Sequence, residues 1–352
     1  MKLTASTTHL PIDKNHDSRN QKPFFFTVPI LLLIFFGITI TIPKPMHAEK
    51  NNINYRLKWL FNASVAGDIY ADEKGYFRAE GIDVTVKEGS PEKNAINELE
   101  LGYADFGVAS ADQVIRAINK GADVYVIAQL FQVNPMQWIY RKNSDGTKEF
   151  EIKTLQDLKG RHIGITFGGN DETIMNTIFT LGGIKKREVR ITGVRFDFTP
   201  FLRKKVEIWP VYRNSQGVIL EDKLYREGES VGFFNPSDFG VNFVANSVIT
   251  SGKMLQQHPE TVKKFLNALI EGWDAAMNPE NEAITLELVK EKDKSSSSDI
   301  IKKQIFETRK LVKPTESWET GKINVDAWKQ TEAIMLKEKQ IEEPVNIEKF
   351  LK

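Results

Sequence analysis

From Tyr55 onward the chain alternates short apolar runs with stretches whose apolar residues recur at helical spacing, the pattern of an α/β architecture with mostly parallel strands. The predicted strands fall into two series. The first comprises Tyr55–Phe61, Asp83–Lys87, Ala104–Val108 and Val124–Leu130, separated by helical patterns such as Pro91–Leu101 and Ala111–Lys120. The second comprises Arg161–Thr166, Arg190–Val194, Val206–Trp209 and Ser230–Phe234. A crossover strand, Gln137–Tyr140, and a polar linker, Arg141–Ile152, separate them. After Ser237–Asn242 a second crossover leads into the strand Phe243–Thr250, and the remainder is helical, with Val262, Phe265, Leu266, Leu269 and Trp273 on one stripe of Pro259–Met277. SSSSD at Ser295–Asp299 reads as a loop and helix cap. Two crossings divide the chain into lobe 1, residues 53–137 and 243–352, and lobe 2, residues 138–242, with a hinge and a cleft between them.

The chain has 352 residues, 41% of them hydrophobic, enough for two domains with cores of their own. Its net charge is +1, with basic residues dispersed among nearly equal numbers of acids, so no nucleic-acid partner is expected. Cysteine is absent, which excludes disulfides, thiolate zinc sites, cysteine nucleophiles and a lipid anchor on cysteine. The histidines are His9, His16, His47, His162 and His258, without metal-like spacing, and there is no GxSxG elbow. No catalytic residue, metal or cofactor is therefore nominated.

Residues 1–48 differ from the rest. Met1–Lys22 is polar, and Phe24–Ile42 is an almost uncharged apolar run close to the roughly 20 residues that span a bilayer. PKPMHA at Pro43–Ala48 offers a cleavage point after Ala48, although Met46 is large for a signal-peptidase site. The segment is either a signal peptide or an amino-terminal membrane anchor, and both place the folded part outside the cytoplasm.

The stretch Phe196–Asn214, FDFTPFLRKKVEIWPVYRN, crowds aromatic, charged and amide groups around a strand end. With Pro210 stopping the strand Val206–Trp209, the rings of Trp209 and Tyr212 are expected at the sheet's carboxyl edge, either sandwiching a flat ligand, with the Asn214 amide on its polar edge, or serving as ordinary core. Phe167, Gly168, Gly169 and Asn170 form a strand-to-helix turn whose glycines let backbone amides approach a ligand, or else an ordinary turn. Lobe 1 offers Trp59 and Ser110 at the ends of strands, Ser110 either contacting ligand or simply capping its helix. Trp138 at the first crossover, and Asp238 with Asn242 at the second, either contact ligand or hold the hinge.

KGYFRAEGIDV with Tyr76 and Phe77, GYADFGVAS at Gly102–Ser110, KGRHIGITFGGND at Lys159–Asp171, FDFTPFL at Phe196–Leu202 and PSDFGVNF at Pro236–Phe243 occur in that order. Together they resemble the NMT1/THI5-like proteins over about residues 55–280. The resemblance implies a two-lobed type II periplasmic binding protein fold with a double-crossover hinge. It further implies a monomeric solute-binding protein of an ABC importer, with a membrane permease as partner and a thiamine pyrimidine precursor or riboflavin as ligand. The family's alternative branch makes the thiamine pyrimidine with pyridoxal phosphate, using a histidine before the KGYF motif and a cysteine-rich run after the second crossover. Here those stretches read NASVAGDIYADEKGYF and VNFVA, without histidine or cysteine, which disfavours the enzyme.

Overall fold

The computed structural model describes residues 50–90, 92–142, 150–195, 197–315 and 317–352. The apolar segment 24–42 and the cleavage point after Ala48 lie outside these residues. Among the described residues no helix is long and apolar enough to cross a membrane.

The strands are β1 (Asn52–Arg56), β2 (Asp83–Lys87), β3 (Phe106–Ala109), β4 (Val124–Gln129), β5 (Met136–Arg141), β6 (His162–Ile165), β7 (Arg190–Gly193), β8 (Ile208–Tyr212), β9 (Val231–Phe234) and β10 (Ser247–Ser251). They form two five-stranded sheets, ordered β2-β1-β3-β10-β4 and β7-β6-β8-β5-β9. The β1–β2, β1–β3, β6–β7 and β6–β8 pairs are parallel. By contrast β10 runs antiparallel to β3 and β4, and β5 runs antiparallel to β8 and β9. Each crossing between lobes thus delivers one antiparallel strand into an otherwise parallel sheet. Parallel strands need helical crossovers, which cover the sheet faces and leave the carboxyl edges open toward the other lobe.

The core of lobe 1 centres on Phe265, which stacks on Phe106 at 3.8 Å and on Phe77 at 5.4 Å and meets Tyr55 edge-on at 5.0 Å. The stripe on Pro259–Met277 supplies it: Val262, Phe265, Leu269 and Trp273 are all buried. The carboxy-terminal helix Val325–Lys337 packs on Ala111–Asn119 of lobe 1 and on Asn170–Leu181 of lobe 2, and one hydrophobic cluster runs through all three.

β8 corrects the expectation that Pro210 ends a strand at Trp209. The strand continues to Tyr212 because Pro210 lies opposite Trp138 of β5, while on its other side β6 pairs with β8 only at Ile208. There Gly164 leaves space for the pyrrolidine ring; a side-chain carbon at 164 would stand 3.2 Å from Pro210 Cδ. Pairing with β6 is made at Ile208 and not at Pro210, so a residue without an N–H is accommodated there.

Candidate functional site

A cavity of about 340 Å³ opens between the lobes, within the range of small-ligand sites. Lobe 1 lines it with Lys58 and Trp59 after β1, Ser90 and Asn94 after β2, and Gln113 on the helix following β3. Asn170, Tyr212 and Gln216 come from lobe 2, and Phe131, Asn134, Ala245 and Asn246 from the two crossovers. Most of these residues stand just beyond strand carboxyl ends, where successive loops of an open α/β sheet converge.

Several of the amides have a structural task that uses only their oxygen. Asn62 Oδ1 accepts from the Ser64 N–H at 2.8 Å and Asn94 Oδ1 from the Ile96 N–H at 2.8 Å, each capping a helical turn. Gln113 Oε1 accepts from the Ser110 N–H at 3.1 Å, and Gln216 Oε1 from the Tyr212 N–H at 3.2 Å. A backbone N–H can only donate, so these contacts fix which end of each amide is oxygen. Asn134 is used at both ends: Nδ2 donates to the Phe243 carbonyl at 2.6 Å and Oδ1 accepts from the Met136 N–H at 2.8 Å. It thereby ties the two crossovers side by side and defines the hinge.

Two cleft groups have displaced ionisation. Burial lowers the Lys58 amine from its ordinary 10.5, the Asp112 carboxylate opposing the change. Asp112 itself is buried and engaged by Arg116 and by Ser110 Oγ. Burial, helped by Asp112 and Asp171, pushes the Tyr212 phenol up to about 12.

The structure brings together four of the residues singled out from sequence: Trp59, Asn170, Tyr212 and Asn214 line the cavity. Trp59 remains 43% exposed, its ring free for a ligand face. Asn214 is buried and spends its Nδ2 on Thr308 Oγ1 at 3.0 Å.

The other residues lie elsewhere. Trp209 and Tyr212 do not sandwich anything: three positions apart on one continuous strand, they occupy opposite faces. Trp209 is buried against Phe198 and Phe201 in a separate cluster. Trp138 is likewise buried, edge-on to Phe234 at 6.1 Å. Ser110 caps its helix through Gln113 and is not among the lining residues. At the turn after β6 three amides are already occupied, Thr166 N–H donating to Asp171 at 2.6 Å, Gly168 N–H to Glu172 at 2.7 Å and Gly169 N–H to the Thr166 carbonyl at 2.9 Å. Gly168 has a φ of +79°, a left-handed conformation that explains the glycine. Gly169 precedes the helix at Asn170, and Phe167 points outward, 65% exposed, beside Gly193. Asp238 accepts from Asn235 Nδ2 at 3.2 Å, and Asn242 N–H donates to Gln330 at 2.9 Å; both brace the second crossover.

Sequence reasoning passed over Lys58, Asn62, Asn94, Gln113 and Gln216. Asn62 and Asn94 were legible as caps placed after strands, a signal that locates a sheet's carboxyl edge.

The strand orders, the paired crossovers and the interlobe cavity define a type II periplasmic binding protein fold. The aliphatic sulphonate binding protein SsuA of Escherichia coli shares it, with a TM-score of 0.66 over 86% of this chain and 92% of that one at 14% identity. Residues 62–283 match the NMT1/THI5-like family model, and the chain belongs to that family. Among relatives, the riboflavin-binding protein RibY of Chloroflexus aurantiacus is 27% identical over 67% of this chain and 65% of its own length. The formylaminopyrimidine-binding protein of Halalkalibacterium halodurans is 21% identical over 76% and 78%. A 4-amino-5-hydroxymethyl-2-methylpyrimidine phosphate synthase of Legionella pneumophila is 26% identical over 64% and 70%.

Proposed function

We propose that this chain is an extracytoplasmic solute-binding protein of an ABC importer. It closes its lobes on a flat heterocycle of the thiamine-pyrimidine or flavin class and presents the cargo to a membrane permease. The observation that carries this reading is that Trp59 of lobe 1 and Tyr212 of lobe 2 line the same amide-rich cavity, which offers ring faces and hydrogen-bonding edges to one planar molecule. The riboflavin-binding and formylaminopyrimidine-binding relatives support the ligand class, and the apolar run before Ala48 supports export. The synthase reading is disfavoured because the stretches that carry its histidine and cysteines read NASVAGDIYADEKGYF and VNFVA here.

Titration of tryptophan fluorescence with formylaminopyrimidine and with riboflavin tests the proposal. Saturable binding in the micromolar range, near 8 kcal/mol, is expected for one class. Trp59→Ala and Tyr212→Ala should each weaken it about tenfold through lost stacking and burial. Silence with both compounds would sink the ligand class, and unchanged affinity in both variants would remove the rings from the site. A visible absorbance band developing on addition of pyridoxal phosphate would reinstate the synthase.

A further inference from the structure

Four amides in the cavity lining present donors and keep their acceptors turned away. Asn62, Asn94, Gln113 and Gln216 commit their side-chain oxygens to backbone N–H groups, and Gln113 also to the Ser110 hydroxyl. Their amide nitrogens have no hydrogen-bond partner among the described residues. Lys58 is the only charged side chain in the lining, and its ammonium makes no hydrogen bond or ion pair among the described residues. The acid whose charge acts on it, Asp112, is already engaged by Arg116 and Ser110. Partial desolvation depresses the Lys58 amine, the response of a cation awaiting a counter-charge.

We infer that the cleft selects an anionic, phosphorylated form of its heterocycle. Lys58 supplies the counter-charge, and the amide NH₂ groups of Asn62, Asn94, Gln113 and Gln216 donate to the oxygens of the phosphate and to the acceptor edge of the ring. This rests on the binding-protein reading above and adds the charge of the cargo. Ammonium-to-phosphate hydrogen bonds are among the stronger polar contacts a site can make. A donor lining with one unpaired cation also rejects cationic ligands, whose approach would leave the lysine facing a like charge.

The test compares matched pairs by isothermal titration calorimetry on the full chain: riboflavin with its 5′-phosphate, and 4-amino-5-hydroxymethyl-2-methylpyrimidine with its phosphate. Inorganic phosphate is titrated separately. The wild type should bind the phosphorylated member of one pair at least tenfold more tightly. Lys58→Met should bring that ratio close to one, while Lys58→Arg, which keeps the charge, should retain most of it. Equal affinity for both members of a binding pair overturns the inference and leaves the heterocycle reading standing. Should neither pair bind while inorganic phosphate binds in a Lys58-dependent manner, the anion subsite stands and the heterocycle reading falls. A phosphate preference of the same size in wild type and Lys58→Met overturns the role of Lys58, and the absence of all binding overturns both.

Discussion

Asp68 shows what one buried carboxyl does to the whole protein. It is 1% exposed, accepts the Tyr55 hydroxyl at 2.6 Å, and has no hydrogen-bond partner for Oδ2 among the described residues. Burial pushes it up to about 7, the Tyr55 hydrogen bond opposing only part of the rise. The folded state therefore holds a proton that the unfolded chain releases near pH 4, and stability falls as pH rises from 4 to 7, then levels. Asp171, raised to about 6 by burial, adds a smaller decline of the same sign. Asp68→Asn should remove roughly 2–3 kcal/mol of the stability lost between pH 5 and pH 8 and leave the Asp171 share. Urea unfolding at the two pH values checks this; an identical loss in the variant would show that Asp68 ionises freely in the fold. Neither this carboxyl nor Lys58 stood out in the sequence, where acids and lysines are abundant and nothing local reports burial. The cap asparagines were legible as caps, but their spare NH₂ groups become a shared feature only once separate strand ends converge.

The elements themselves were more legible. β2 runs from Asp83 to Lys87 as its alternation predicts, and Ser297 caps Ser298–Val312 through the Ile300 N–H at 3.3 Å, within the serine run. β8 was misread because tolerance of Pro210 depends on Gly164, more than forty residues away, and on pairing that no local pattern displays. That single difference moved Trp209 from the cleft into a core. Packing between elements sets a further constraint at Gly67 in the helix Ala66–Glu73: a side-chain carbon there would lie 2.0 Å from Trp273 Cδ2. Gly272 reciprocates, with a side-chain carbon at 2.5 Å from Ala71 Cβ, so the two helices approach through small residues. Trp273 is fully buried and meets Phe131 edge-on at 6.2 Å, leaving it little freedom to yield. Gly67→Ala gains about 1 kcal/mol of helix propensity, yet overpacking costs about 1–3 kcal/mol or more, so the clash should win. Thermal unfolding should show a lowered Tm; a raised one would mean that the tryptophan relocates without strain.

At the scale of the whole molecule, the lobes are joined by more than their crossovers. Arg213, at the end of β8, pairs with Glu307 at 3.0 Å on a helix whose Ile301, Ile305 and Leu311 belong to the lobe 1 core. Lys303 on that helix reaches Asp222 of lobe 2 at 2.6 Å, and Thr308 receives the Asn214 amide. The Lys303 pair has an exposed lysine and contributes little, whereas Arg213 and Glu307 are mostly shielded, and the guanidinium also lies 4.1 Å from the centre of the Phe233 ring. Removing one partner of a shielded pair costs more than the pair itself contributes, because the survivor remains desolvated with only an exposed partner left, Glu221 for Arg213 and Lys310 for Glu307. Such a contact biases the balance between open and closed cleft, and the apparent ligand affinity scales with the closed fraction. Glu307→Ala should therefore open the ligand-free protein, seen as a larger radius of gyration in small-angle scattering. It should also weaken binding of whichever heterocycle the wild type takes by about tenfold, the equivalent of 1.4 kcal/mol. Arg213→Met, which also loses the ion pair with Glu221 at 3.0 Å, should reproduce both effects, and the double variant should add little to it, since the contact between Arg213 and Glu307 is already gone. Unchanged scattering and unchanged affinity in both single variants would mean that the crossovers and the carboxy-terminal helix alone set the angle between the lobes.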